Sequence, residues 1–171
     1  MTQRFEKAYN ALYKAFMNST LAKGYCAACA VGNILADAQG GIVRVEINKH
    51  DISVECDVDN KFWNNLFTTS GRVQSFYGEA HGIEEFELLE YRERILTLTG
   101  YTWQELARIE YAFETACKIG GHWYSNHSEQ EIMEDQFNGL MAVMDVLIEL
   151  DEVKEGNSYK ETFKNKFAAV Q

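Results

Sequence analysis

The chain has no proline in its 171 residues, and this absence constrains its fold more than any other single feature. Average usage near 5% would place about eight or nine prolines in a chain of this length. Proline ends helices because it lacks a backbone N–H and clashes with the preceding turn. The sequence therefore predicts a mainly α protein, and we expect an irregular helical bundle of five or six helices.

Size and charge limit the functions that such a chain can have. A chain of this length buries well over half of its unfolded surface, so residues 1–171 are predicted to form a single α-rich domain. The formal net charge of −10 repels phosphate backbones, so we expect no direct nucleic-acid partner and no anionic membrane surface. The sequence has neither a membrane-length apolar run nor a signal-peptide stretch, which predicts a cytoplasmic protein.

Apolar residues at spacings of three and four mark the helices. They predict one helix over about residues 2–21, a short second helix over Cys26–Ala36, and a third over about residues 83–98 that stops at Gly100. Two capping boxes, Thr102–Glu105 and Ser128–Glu131, open the next two helices. Gly139 lies in the apolar stripe of the last and longest of these, which predicts a close crossing with the Cys26–Ala36 helix.

Between residues 42 and 58 the apolar period changes from helical spacing to strict alternation. Two alternating runs are joined by Asn48-Lys49-His50-Asp51, so the sequence predicts a β-hairpin inserted into the helical body. The stretch 60–82 is much less regular. Phe62, Trp63, Leu66 and Phe67 indicate a short amphipathic helix within it.

Charge is unevenly distributed along the last third of the chain. Residues 122–153 contain eight carboxylates and neither lysine nor arginine, whereas residues 154–171 contain four lysines. Within that tail Tyr159, Phe163 and Phe167 recur at a spacing of four. This pattern predicts a short amphipathic tail helix that docks on the body of the protein or on a partner.

Cys26-Ala27-Ala28-Cys29 is the motif with the most chemical potential, because its two thiols are one helical turn apart. Three interpretations are open: buried packing in a small-residue helix, metal binding, or dithiol–disulfide redox chemistry. A zinc ion or an iron–sulfur cluster normally takes four protein ligands, and the chain contains only one such motif. The candidate ligand set is Cys26, Cys29, Cys117 and His122, with Cys56 and His127 as further candidates.

The redox interpretation has some support and one objection. A Cys-x-x-Cys motif at a helix N-terminus lowers the pKa of its first thiol, but the βαβ pattern of a thioredoxin-like site is missing. In a chain of this size without a secretion signal, four cysteines are expected to be reduced thiols or ligands rather than a disulfide framework.

Other motifs of known chemistry are absent from the sequence. It contains no Gly-x-Gly-x-x-Gly, Walker or Gly-x-Ser-x-Gly pattern, and no Glu-x-x-His pairs of the kind used by di-iron bundles. Asp57-Val58-Asp59-Asn60 begins like a calcium-binding loop, but Phe62 replaces the required glycine. No catalytic residue or resident cofactor is therefore predicted.

Several segments together resemble a known group of sequences. They are Phe16–Leu21, Cys26–Asn33, Gly100–Thr102 and the Ile109–Glu114 region. The pattern resembles short proteins of Bacteroidetes-type bacteria and of their phages or mobile elements, which carry a Cys-x-x-Cys-Ala-Val-Gly-Asn segment. The resemblance implies no activity. It does imply that Cys26, Cys29, Gly32 and Asn33 belong together as a unit.

Two functional hypotheses follow from these observations. The first is a non-enzymatic accessory or protein-interaction factor, of phage or mobile-element origin, whose partner is another protein. The alternative is a small metal-binding protein, with zinc or an iron–sulfur cluster, or a thiol redox protein. This second function would be centred on Cys26 and Cys29.

Overall fold

The computed structural model describes residues 2–48, 51–58, 85–120, 124, 126–154 and 156–170. These residues form six helices and one two-stranded antiparallel hairpin, which confirms the predicted fold class. The elements are α1 (Gln3–Met17), α2 (Ala30–Ala38), β1 (Val43–Asn48), β2 (Asp51–Cys56), α3 (Glu85–Thr99), α4 (Trp103–Ala116), α5 (Glu129–Leu150) and α6 (Gly156–Val170).

Helix α1 is shorter than the sequence predicted. It begins after Thr2, whose hydroxyl accepts a hydrogen bond from the N–H of Phe5. Its last residue is Met17, four residues before the predicted end at Leu21. The chain leaves the helix because Ser19 takes a positive φ of 54°. The backbone N–H of Thr20 then donates to the carbonyl oxygen of Ala15 at 2.9 Å.

The second helix begins later than predicted. It starts at Ala30, and Cys29 is its N-cap, so the predicted start at Cys26 is wrong. Residues 26–29 form a turn that precedes the helix. Helix α2 packs mainly against α1, α3 and α4, and all its residues from Ala30 to Ala36 are buried.

The hairpin has the predicted position and pairing. Val43 pairs with Cys56, and the register runs to Asn48 opposite Asp51. Val43 and Ile52 are buried against the helices. The two residues between the paired ends, and the short helix predicted around Phe62–Phe67, lie outside the described residues.

The predicted capping boxes are both present. Thr102 and Glu105 exchange side-chain and backbone hydrogen bonds at the start of α4, and Ser128 and Glu131 do the same at the start of α5. Gly100 separates α3 from α4 with a φ of 77°, as its predicted role at the helix end requires. These local signals position α4 and α5, which form the most extensive helix pair in the described structure.

Gly139 marks a close helix crossing, but not the predicted one. A Cβ atom at this position would lie 2.3 Å from Sγ of Cys117 and 2.8 Å from the ring of Phe113. The neighbour of α5 at this point is therefore the end of α4, and the predicted crossing with the cysteine helix is wrong. The periodicity showed that a close crossing was needed but could not identify the partner.

The tail forms α6 and packs through aromatic rings. Phe163 is fully buried, and its ring contacts those of Tyr9, Tyr13 and Phe16 on α1 at centroid distances of 5.3–6.0 Å. Phe167 stacks on Phe137 of α5 at 4.4 Å. Helix α6 therefore covers a seam between α1 and α5.

One arginine joins three helix ends. The guanidinium of Arg4 donates to Asp151 at 2.8 Å, to Glu105 at 3.0 Å and to the carbonyl oxygen of Leu150 at 3.1 Å. The same group lies over the ring of Tyr101, whose hydroxyl donates to Asp151 at 2.7 Å. This network fixes the start of α4 relative to the end of α5.

Among the described residues, no helix is long and apolar enough to cross a membrane.

Candidate functional site

The Cys26–Cys29 turn, defined here as residues 26–29, is folded tightly over the first turn of α2. Sγ of Cys29 accepts the N–H of Gly32 at 3.2 Å and donates to the carbonyl oxygen of Cys26 at 3.1 Å. Gly32 is in close contact with the same turn, because a Cβ atom there would lie 2.1 Å from that carbonyl oxygen. The thiol of Cys29 thus has the role of an N-cap side chain.

Asn33 holds the same turn from the other side. Its side-chain amide donates to the carbonyl oxygens of Thr20, Ala28 and Cys29 at 3.0–3.1 Å. Its side-chain oxygen accepts the hydroxyl of Thr20 at 2.9 Å. The structure therefore brings Cys26, Cys29 and Asn33 together, along with Gly32, in one hydrogen-bonded unit.

Helix α4 closes over this unit with two carboxylates one turn apart. Glu114 accepts the backbone N–H of Gly24 at 3.0 Å. The carboxyl end of Glu110 is buried beside Cys29, and its Oε2 atom has no hydrogen-bond partner among the described residues. Burial raises the pKa of Glu110 to about 7, and the nearby charge of Glu114 acts in the same direction.

The surroundings of Cys29 favour its neutral thiol over the thiolate. Burial, followed by the charge of Glu110, raises the pKa of the Cys29 thiol well above its usual value. These surroundings hold Cys29 as the neutral thiol, which is the form that donates a hydrogen bond to the carbonyl oxygen of Cys26. The partly exposed Cys26 forms the other half of the pair.

The other candidate ligands do not complete the site in the described part of the chain. Cys117 ends α4, and its thiol donates to the carbonyl oxygen of Asp135 on α5 at 3.5 Å. Burial raises its pKa to about 12. His122 lies outside the described residues, and His127 is exposed near Glu131. Within the described ranges, no group of three or more His, Cys, Asp or Glu residues is arranged to hold a metal ion.

Cys56, a further candidate ligand, belongs to the hairpin and not to the Cys26–Cys29 turn. It lies on β2 opposite Val43 and is partly buried there. Burial also raises the pKa of this thiol. All four cysteines are described, and all are thiols rather than disulfides in the structure.

The outward side of α4 carries a different kind of feature, which we call the α4–α5 groove. It is an open concavity of about 460 Å³, and six of its lining residues are Trp103, Ala107, Arg108, Tyr111, Ala112 and Val146. Tyr111 is 59% exposed, the largest exposed fraction among the large hydrophobic residues described. The groove is therefore an apolar, aromatic surface that is open to solvent.

Sequence reasoning missed this groove. Trp103 is partly exposed at the groove, and the guanidinium of Arg92 lies over its ring at 4.5 Å. A signal was available, because Trp103, Ala107 and Tyr111 recur at a spacing of four. They form a second apolar row beside the buried row of Leu106, Ile109 and Phe113.

Comparison with known proteins adds no family or fold to this picture. No protein-family model, curated protein or solved structure matches the chain. The chemistry of the described residues is therefore the basis for any functional proposal.

Proposed function

We propose that this protein is a non-enzymatic interaction factor that binds another protein through the α4–α5 groove. The observation that carries the proposal is the exposure of Tyr111 within an apolar concavity. Aromatic and arginine side chains are enriched in protein interfaces and supply most of their binding energy. The groove contains a tryptophan, a tyrosine and an arginine within three helical turns.

The groove also has the rigid support that a binding surface needs. Its residues lie on α4 and α5, two helices that both begin with a complete capping box. The Arg4 network fixes the start of α4 against the end of α5. A rigid surface loses little conformational entropy when a partner binds, so more of the contact energy appears as affinity.

Site-specific photo-crosslinking in the cells that naturally make the protein tests this proposal. A benzophenone amino acid would replace Gln104 at the groove or, as a control, the exposed Asn165 on α6. We expect a discrete crosslinked partner from position 104 alone, lost when Ala107→Glu fills the groove. Equal products from both positions, or products that persist in Ala107→Glu, would contradict the proposal.

A zinc, iron–sulfur or thiol redox function centred on Cys26 and Cys29 is the second candidate. The observation that supports it is that both cysteines belong to one turn, with Cys26 partly exposed to solvent. Its test is the metal content of protein purified without oxygen, together with a count of reactive thiols before and after denaturation.

A further inference from the structure

We propose that two copies of this chain associate through the outer edges of their β1 strands and so form one four-stranded antiparallel sheet. An unpaired strand edge is a template on which another strand can pair. Three observations select a second copy of β1 as that strand: the direction of its backbone groups, the order of its charges and the space beside it. The inference goes beyond the proposed function and does not involve the α4–α5 groove.

The outward backbone groups of β1 define where a second strand can bond. The N–H of Asp57 donates to the carbonyl oxygen of Ile42 at 3.3 Å, and in an antiparallel pair such bonded positions alternate along each strand. Every second residue from Ile42 therefore bonds to β2, and Val43, Val45 and Ile47 direct their N–H and C=O groups away from it. In the described part of the chain β1 pairs with β2 alone, so no other strand bonds to this edge there.

The charges of β1 are complementary to those of a second β1 strand. A two-fold axis at Val45 places Arg44 opposite Glu46 of the partner subunit, and Glu46 opposite the partner's Arg44. Both side chains are exposed, and within the described ranges neither forms an ion pair. In this register they occupy non-hydrogen-bonded positions, where opposite side chains come closest. Opposite charges placed there stabilise the pairing, and like charges oppose it.

Strand β2 does not have this complementarity. Its charged residues are Asp51 and Glu55, both acidic, so two copies of β2 could offer each other only like charges. The charge order therefore selects the β1 edge over the β2 edge. A two-fold arrangement also closes the assembly at two subunits, because the β1 edge of each copy is then used.

The space beside β1 can receive the apolar side chain that the pairing brings there. Val43, Val45 and Ile47 share one face of the strand, and the partner's Ile47 would lie opposite Val43. Ile47 is 46% exposed in the single chain. An open concavity of about 420 Å³ lies beside Val43, and its lining includes Ala11 and Ala15 of α1 but no described residue of β2. The partner's Ile47 would therefore be covered next to Val43.

Sedimentation equilibrium of the full chain tests the inference. The protein is examined from about 5 to 500 µM, since an interface smaller than the standard size of about 1,600 Å² associates weakly. We expect a reversible equilibrium between monomer and dimer, with no larger species. Failure of the groove crosslinking experiment would leave this result unaffected, because the two surfaces are different.

Charge reversal locates the interface. Glu46→Arg places two arginines opposite each other at both ends of the paired segment, and we expect it to weaken the dimer about tenfold or more. Within the hairpin, position 46 lies opposite the uncharged Ser53. Glu90→Arg, at an exposed position on α3, makes the same change in net charge and is the control. Since both substitutions make the chain less negative, a general charge effect would strengthen association in both variants.

Two further measurements test the pairing itself. Glu46→Arg mixed with Arg44→Glu again places opposite charges across the interface, so the mixture should form a heterodimer more tightly than either variant dimerises alone. Val45→Pro removes an outward N–H, and proline is tolerated on an edge strand where that N–H does not bond within the sheet. We expect Val45→Pro to be monomeric.

Four results would overturn the inference. The first is a monomer at every concentration, which would leave a strand of another protein as the only kind of occupant for this edge. The second is a dimer that Glu46→Arg weakens no more than Glu90→Arg does. The third is a mixture of the two charge variants that associates no better than each variant alone, and the fourth is a dimer that persists in Val45→Pro.

Discussion

The two sides of α4 differ in how their chemistry is used. The side facing α2 carries Glu110 and Glu114, and it closes over a turn whose polar groups are bonded to one another. The other side carries Trp103 and Tyr111 around an open groove. On the first side, the cysteine motif forms hydrogen bonds within the fold. On the second side, the aromatic row is open to solvent, although no sequence motif marks it.

The largest effect is expected from Gly32→Ala on the cysteine side. The added Cβ atom would lie 2.1 Å from the backbone oxygen of Cys26, and backbone cannot move aside as a flexible side chain does. We expect a loss of about 3 kcal/mol or more in the free energy of unfolding, measured by urea denaturation.

Gly40→Ala is the control for that substitution. Its Cβ atom would meet nothing within 4 Å, and only its positive φ of 70° opposes the change. The expected loss is about 1–2 kcal/mol. If the two alanine variants were equally stable, the turn would be loosely held and the contrast between the two sides of α4 would be lost.

A pH effect of similar size is expected from Glu110. Its pKa is about 7 in the folded protein and 4.5 without the surrounding structure, so the folded state holds the proton over a wider range. Its contribution to stability is therefore complete below about pH 4.5 and is lost as the pH rises through about 7. The loss can reach about 3 kcal/mol, since each pKa unit corresponds to about 1.4 kcal/mol.

Glu110→Gln isolates that contribution. We expect the variant to match the wild type near pH 4 and to exceed it in stability above pH 7, as seen in urea unfolding at each pH. Glu134→Gln, at an exposed position on α5, is the control and should follow the wild-type profile. Parallel pH profiles for wild type and Glu110→Gln would show that the carboxyl group is not buried.

A smaller effect is expected from the cap residue itself. Serine is a preferred N-cap, so Cys29→Ser should retain the bond to the N–H of Gly32 and lose at most about 1 kcal/mol. Cys29→Ala removes the cap and should lose about 1–2 kcal/mol. Thermal unfolding of both variants checks this order. Unfolding of Cys29→Ser at room temperature would be the behaviour of a metal site.

The smallest effect on stability is expected on the groove side. Tyr111 is 59% exposed, so Tyr111→Ala should change the free energy of unfolding by no more than about 0.5 kcal/mol. The same variant should lose the crosslinked partner that position 104 captures. A large drop in melting temperature would instead show that Tyr111 supports the fold.

The sequence predicted those features that depend on neighbouring residues. The hairpin follows from alternation over residues 42–58, and the starts of α4 and α5 follow from their capping boxes. The start of α2 was missed because its cap is Cys29, and cysteine is not among the residues that usually signal a helix start.

Features that depend on distant residues could not be predicted. Gly139 showed that a close crossing exists, but only the fold shows that Cys117 and Phe113 meet it. The burial of Glu110 depends on a turn some eighty residues earlier in the chain. The groove depends on Val146 approaching α4, and helical periodicity alone does not show whether a second apolar row will be covered.

We propose that the Cys26–Cys29 turn is structural and that α4 binds a partner through its other side. The most direct test is the zinc and iron content of protein purified without oxygen, compared between wild type and Cys26→Ser. We predict less than stoichiometric metal in both proteins and nearly equal melting temperatures. Stoichiometric metal in the wild type that is lost, together with the fold, in Cys26→Ser would contradict the account.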